Sequence, residues 1–431
     1  MPAIGQPLPF GPACCVIDGM GSIGKTQTAL EYCYLYASEY DGIFWLRSET
    51  DVELSASYAA IAVELRLRSS HTPSGNSQGS AASGDGVNVN IETARDWLET
   101  ADKKWLLVFD NVQDINSVQR YIPRCTKGRG AMIITTQKLN IQGFTEIFQR
   151  VGLESLSSDD SITLLFKYLE RESRGPEETT KAFEIIGIVG GLRLAIATIG
   201  GCILMSNSTI DEFLNHIQPS DKIWDRTEST HVKGYDKGTL GSVFELALSE
   251  LPANSRKLIN ILGFLNPDSV PEAMFLGTHD DPSLEFLGNA EELATMIQDL
   301  NLRQLVKRES TGQLSLHRSL QLSILNLLSN NYMLRLQVFN QALSLIRKQL
   351  PPPSATQGFR ADLFAKYKTY VPQIVSLYMH SLWLQPPITH SLDFAKVMID
   401  VGTYMWRTGQ FKECEKMLTT AEDILEKEGL P

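Results

Sequence analysis

The stretch Asp18-Gly19-Met20-Gly21-Ser22-Ile23-Gly24-Lys25-Thr26 leaves this chain few folds to choose from. An apolar run, Ala13 to Ile17, leads into it, and a helical pattern, Thr26 to Tyr36, leaves it. A G-x-x-x-x-G-K-[ST] sequence between a strand and a helix is a phosphate-binding loop. Gly19, Gly21 and Gly24 allow backbone conformations that a side chain would forbid. Successive N–H groups through Ser22 and Ile23 then point inward as an anion nest. The helix N-terminus adds its partial positive charge. Lys25 brings a full charge to the β- and γ-phosphates, and the Thr26 hydroxyl suits Mg²⁺. The bland alternative, a glycine-rich turn that merely joins strand to helix, does not need the complete motif with its flanks.

Composition narrows the remainder. At 431 residues the chain has room for two to four domains. A net charge of -11 argues against nonspecific nucleic-acid binding. Cys14, Cys15, Cys33, Cys125, Cys202 and Cys414 lack metal-ligand spacing, which fits reduced thiols in the cytoplasm. Met1 to Pro12 carries no Lys or Arg and four prolines, so it does not read as a signal peptide. Ile185 to Met205 is nearly uncharged but holds Arg193 and five glycines. Two buried helices with a turn at Gly190-Gly191 fit it better than a membrane span.

Downstream of the loop, strand and helix signals alternate. Gly42 to Arg47 predicts a strand and Asp51 to Leu67 a helix. Ser69 to Asn90, rich in Ser, Gly and Asn, predicts a mobile loop, with a helix from Ile91 to Ala101. Lys104-Trp105-Leu106-Leu107-Val108-Phe109-Asp110-Asn111 is an apolar run ending in an acid. That is a buried parallel strand with a carboxylate at its C-terminal edge, where open α/β sheets bind ligands. Asp110 is thereby the candidate Mg²⁺-orienting acid opposite Thr26; the alternative is a cap for the short helix after it. Asn111 follows where hydrolysing relatives often have a second acid, and an amide cannot accept a proton at neutral pH. Ala131 to Gln137 predicts another buried strand, whose Thr136 is placed to sense a γ-phosphate or simply to cap the strand end.

The chain then turns helical. We expect an α/β nucleotide-binding domain over residues 1–152, with its mobile loop at 69–90, and a helical lobe over 153–220. Helices at 239–249, 255–262 and 290–300 precede two strands that flank Glu309-Ser310-Thr311-Gly312, a glycine-turn hairpin. This predicts a winged-helix domain over 239–330. Its 290–300 helix carries Glu291, Glu292 and Asp299 and no Lys or Arg, which argues against DNA binding. Residues 331–431 are predicted helical, ending in Gly402, Gly409, Phe411, Leu418 and Ala421 at spacings like one tetratricopeptide repeat.

Four motifs stand in order: Gly19 to Gln27, Leu106 to Asp110, Ile133 to Thr136, and Gly190-Gly191-Leu192-Arg193-Leu194-Ala195. Leu316-His317-Arg318 closes the winged helix after them. Together they resemble the NB-ARC family of signal-transducing NTPases, part of the STAND class, and the tail is similar to the fungal NOD-like branch. The resemblance covers about residues 13 to 330. It implies an ADP/ATP switch with Mg²⁺: a closed ADP state, and ATP-dependent opening with oligomerisation. Gly19, Gly21, Ser22, Ile23, Gly24, Lys25, Thr26 and Gln27 match its phosphate-loop contacts and Asp110 its metal-orienting acid. Thr136 falls at its γ-phosphate sensor. Leu192 lies in its base-proximal motif, and His317 matches its β-phosphate histidine. Protein partners are expected through the C-terminal helices, with no nucleic acid and no membrane. Gln137 stands where the family has a sensor arginine, and Arg193 replaces a proline. The family's usual N-terminal linker and effector domain are not read before the phosphate loop in this sequence, which implies either a fragment of a longer protein or a stripped-down member. A true ATP-hydrolysing enzyme and a degenerate scaffold without nucleotide are the competing readings.

Overall fold

The computed structural model describes residues 12–21, 23–67, 85–124, 129–137, 147–217, 238–350 and 361–429. Ser22, most of the expected 69–90 loop and the Pro351-Pro352-Pro353 segment lie outside the described residues. Two compact units emerge: residues 1–154 with 398–431, and residues 155–397.

The first unit is built on a parallel sheet. Strand β1 (Ala13–Asp18) passes through the glycine loop into helix α1 (Lys25–Leu35). Then come β2 (Gly42–Arg47), α2 (Asp51–Glu64), α3 (Asp85–Thr100), β3 (Trp105–Val112), the short α4 (Ile115–Val118), β4 (Gly130–Thr136) and β5 (Ile147–Gly152). The sheet order is β2-β3-β4-β1-β5, and every pairing is parallel. Strands buried on both faces read as continuous apolar runs, and here alternate residues feed two cores. Val16, Leu107 and Ile134 join Leu54, Tyr58, Ala94 and Leu98 of α2 and α3. Ile17, Val108 and Ile133 join Ala29 and Cys33 of α1.

The described part of the expected mobile loop corrects that expectation: α3 begins at Asp85, not at Ile91. Val87 continues the helical spacing of Ile91, Ala94 and Leu98, and the Thr93 hydroxyl donates to the Val89 carbonyl within the added turn. Packing of Ala94 and Leu98 in the core shared with α2 outweighs the weak helix propensity of Gly86, Asn88 and Asn90.

The second unit starts with α5 (Ser158–Tyr168), α6 (Pro176–Val189), α7 (Arg193–Ser206) and α8 (Ile210–Ile217). Gly190, at φ 65°, ends α6 in the left-handed C-terminal conformation usual for glycine. Gly191, at φ 70°, packs so close that a Cβ there would lie 2.5 Å from the Leu156 carbonyl oxygen. The uncharged 185–205 segment is thus two helices and a turn, and among the described residues no helix is long and apolar enough to cross a membrane.

Next come α9 (Gly238–Ser249), α10 (Ala253–Phe264), β6 (Val270–Pro271), α11 (Ala290–Leu302), and the hairpin β7 (Val306–Arg308) and β8 (Gln313–Leu316). Strand β6 pairs with β8, making a three-stranded sheet that the sequence reading lacked. Helix α12 (Arg318–Ser329) follows, then α13 (Tyr332–Gln349), α14 (Ala361–Trp383) and the first residues of α15 (Leu392–Arg407), whose part from Met398 on is counted with the first unit. Helix α7 packs on α9 and α11. Gly201 makes that approach possible, because a Cβ there would meet the Leu302 carbonyl oxygen at 2.6 Å. Arg303, 7% exposed, sits at this junction between Asp299 (3.0 Å) and Glu250 (3.6 Å). Helix α16 (Phe411–Lys427) belongs to the first unit's compact set, where the side chain of Leu418 fills the space that Gly402 leaves.

Candidate nucleotide site

The site is the carboxyl edge of the parallel sheet. The chain turns there without side-chain bulk: Gly19 has φ 151° and Gly24 φ 102°. A Cβ on Gly19 would stand 2.8 Å from the Leu153 carbonyl oxygen. Ile23, 1% exposed, anchors the loop into the core, whereas Met20 is exposed. Gly24 caps α1 with no side chain of its own, so the helix's first N–H groups are not taken up by a cap.

Lys25 is the first residue of α1 and is buried. Its Nζ donates to the carbonyl oxygens of Gly19 at 3.0 Å and Met20 at 2.7 Å. Burial pushes its pKa down, and the nearby carboxylates of Asp110 and Asp18 push the other way. Thr26 and Gln27 follow on the exposed side of the helix.

Asp110 gathers the opposite wall. Its Oδ1 accepts the Thr26 hydroxyl at 2.9 Å and the Thr135 hydroxyl at 2.6 Å. Burial raises the pKa of this carboxyl, against the pull of the two hydroxyls and Lys25. One carboxylate beside one threonine hydroxyl is a partial oxygen set. It suits a cation such as Mg²⁺, which keeps waters and takes phosphate oxygens for its other positions. No cluster of three or more His, Cys, Asp or Glu suited to a metal occurs among the described residues.

The threonine expected to face the site changes identity here. Thr136 is buried and its hydroxyl donates to the Val112 carbonyl at 2.8 Å. Its neighbour Thr135 is the one bonded to Asp110, and it also accepts the Asn111 N–H at 2.8 Å. Neighbouring strand residues face opposite ways, so a one-residue offset moves the hydroxyl to the other side of the sheet. The regular register sets the choice: Phe109 pairs with Ile134, so Asp110 falls beside Thr135. Beyond it Asn111 adopts φ 61°, the pairing of β3 with β4 shifts before Val112, and the Asn111 Oδ1 accepts from Gln113. Asparagine is among the few residues that tolerate this left-handed conformation. Gln137, in the place of the sensor arginine, is exposed.

Sequence reasoning missed one polar pair altogether. Asp18, 2% exposed, accepts two hydrogen bonds from Arg150, at 2.7 and 2.9 Å. The Arg150 guanidinium holds the Asp18 carboxyl below the usual carboxylate range.

The remaining expected residues lie in the second unit. Leu192 precedes α7 with φ -75° and ψ 112°, and Arg193 is the helix's first residue. That position commonly holds proline, since its N–H has no intrahelical partner. His317 caps α12, its Nδ1 accepting the Ser319 N–H at 3.1 Å. The acceptor role leaves Nε2 as the protonated ring nitrogen of the neutral side chain.

Residues 10–174 match the NB-ARC domain, and residues 246–333 match a domain of unknown function, DUF7779. No curated protein sequence matches the chain significantly. Among solved structures, the chain is similar to a signal-transduction ATPase with numerous domains (STAND) that carries a tetratricopeptide-repeat sensor, from Pyrococcus horikoshii. The identity is 14% and the TM-score 0.47, over 96% of this chain and 56% of that one. It is also similar to a Walker-type ATPase of Pyrococcus abyssi, with 12% identity and a TM-score of 0.28, over 72% of this chain and 90% of that one. The chain thus spans little more than half the length of the first of these.

Proposed function

We propose, from the premise that residues 10–174 form an NB-ARC domain of the P-loop NTPase class, that this protein is an ADP/ATP-dependent signalling switch. The observation that carries this reading is the convergence of Lys25, Thr26, Thr135 and Asp110 beside the glycine loop. A bound phosphate gives Lys25 a stronger partner than the two loop carbonyls it now holds, because a charge-assisted bond to an anion exceeds one to a neutral oxygen. Thr26 and Asp110 would hold Mg²⁺, whose role is to neutralise the phosphate oxygens. Main-chain N–H groups from Gly19 to Thr26, with Gln27 at the helix start, complete the phosphate cradle. By family resemblance, Leu192 is proposed as a base contact and His317 as a β-phosphate contact.

Turnover is slow on this reading. Asn111 supplies an amide where a proton acceptor is needed, and it is tied into the β3–β4 edge through its own N–H. ADP favours the closed form, and exchange for ATP opens the chain and exposes surfaces for self-assembly. Partners dock on the C-terminal helices, in the cytoplasm; the five described cysteines are all free thiols.

The test is the nucleotide released when freshly purified protein is denatured, beside a Lys25→Ala variant. Stoichiometric ADP from the wild type alone is the expected result. A folded wild type that releases none and gains no thermal stability from millimolar ADP overturns the reading.

A further inference from the structure

The glycine loop begins on a charge of the wrong sign for a polyanion. Asp18 is the last residue of β1, immediately before Gly19, and is almost fully buried. Its carboxylate is close enough to act electrostatically on Lys25. Left alone, it would oppose phosphates arriving at the nest and compete for the lysine. Arg150 meets this carboxylate on both oxygens, Nε to Oδ1 at 2.7 Å and an Nη to Oδ2 at 2.9 Å. Bidentate pairing is the strongest form of this contact and fixes geometry as well as charge. The same strand supports it: the Leu153 N–H just beyond β5 donates to the Asp18 carbonyl at 2.8 Å, and Leu153 leaves room only for a glycine at 19.

We infer that Arg150 is a positioning residue for phosphate binding, cancelling the Asp18 charge so that Lys25 and the N–H nest set the field the nucleotide meets. The inference rests on the nucleotide-switch reading. Arg150 acts through Asp18, and its effect on affinity is therefore conditional on the Asp18 charge. A purely mechanical tie between β5 and the loop has no such condition.

The experiment compares ADP dissociation constants, by calorimetry, for wild type, Arg150→Met, Asp18→Asn and the double variant. Arg150→Met uncovers a buried carboxylate, and binding is expected to weaken by about tenfold. The double variant removes that carboxylate and is expected to return to within about threefold of wild type. A ratio of at least about fivefold between Arg150→Met and the double variant supports the inference, and a smaller ratio overturns it. If Arg150→Met does not fold, Asp18→Asn decides. Affinity equal to or tighter than wild type supports charge cancellation, and weaker affinity means a mechanical tie. Wild type that binds no ADP refutes the switch itself, an outcome separate from either result for the variants.

Discussion

Two glycine-bearing turns in this chain lead into helices, and they use their glycines for opposite ends. In the first, Gly19 to Gly24, the turn opens the start of α1: Gly24 offers no side-chain cap, and the basic Lys25 is the first helical residue. In the second, Gly190 and Gly191 close a structure. Gly190 terminates α6, Gly191 fits against Leu156, and the apolar Leu192 precedes a helix that also begins on a basic residue, Arg193. A cation in the first turn opposes the helix dipole in both cases. In the first, Lys25 donates to two loop carbonyls and lies near the Asp110 carboxylate, and a phosphate would draw it away from them. Glycine content alone does not mark a ligand site; what the helix's open end faces does.

The comparison breaks first at the tighter glycine. Gly191→Ala puts a methyl group against the Leu156 carbonyl at a left-handed position, and we expect a loss of about 3 kcal/mol of stability. Chemical denaturation measures it, and an unchanged midpoint removes the packing role assigned to this turn. Gly19→Ala strains the opening turn in a similar way, but its effect should fall on the ligand. ADP affinity is expected to drop by about tenfold, or roughly 1.4 kcal/mol, with a smaller change in melting temperature. Equal effects of both substitutions on stability and none on binding would erase the distinction. Smallest is Arg193→Pro. Leu192 already has the extended backbone that must precede a proline, and the first helical N–H needs no partner. Stability should rise by about 0.5 kcal/mol, read as a shift of a degree or two in thermal unfolding.

Much of the nucleotide-binding unit was legible because its signals are local. The glycine loop, the apolar strand ending in Asp110 and the Gly190-Gly191 turn each lie within ten residues, and each is found where expected. What the sequence hid depends on pairing at a distance. Arg150 and Asp18 are 132 positions apart, and nothing near either residue announces the other. Whether Thr135 or Thr136 faces Asp110 depends on the register of β3 against β4, a pairing between distant segments that sets Phe109 on Ile134 and so Asp110 beside Thr135. Strand β6 has two residues, too few for any periodicity, and exists because β8 offers it an edge. The start of α3 was obscured by Asn and Gly residues whose weak helix preference is overcome by packing on α2.

The left-handed backbone at Asn111 restricts which side chains can stand beside Asp110. Here φ is 61° at that position, where asparagine is tolerated and glutamate incurs about 1–2 kcal/mol of strain. Aspartate shares asparagine's tolerance of this conformation, so the main chain admits a short acid beside Asp110 and resists a long one. On the proposed reading, any tuning of turnover at this position is confined to side chains that can occupy the left-handed turn.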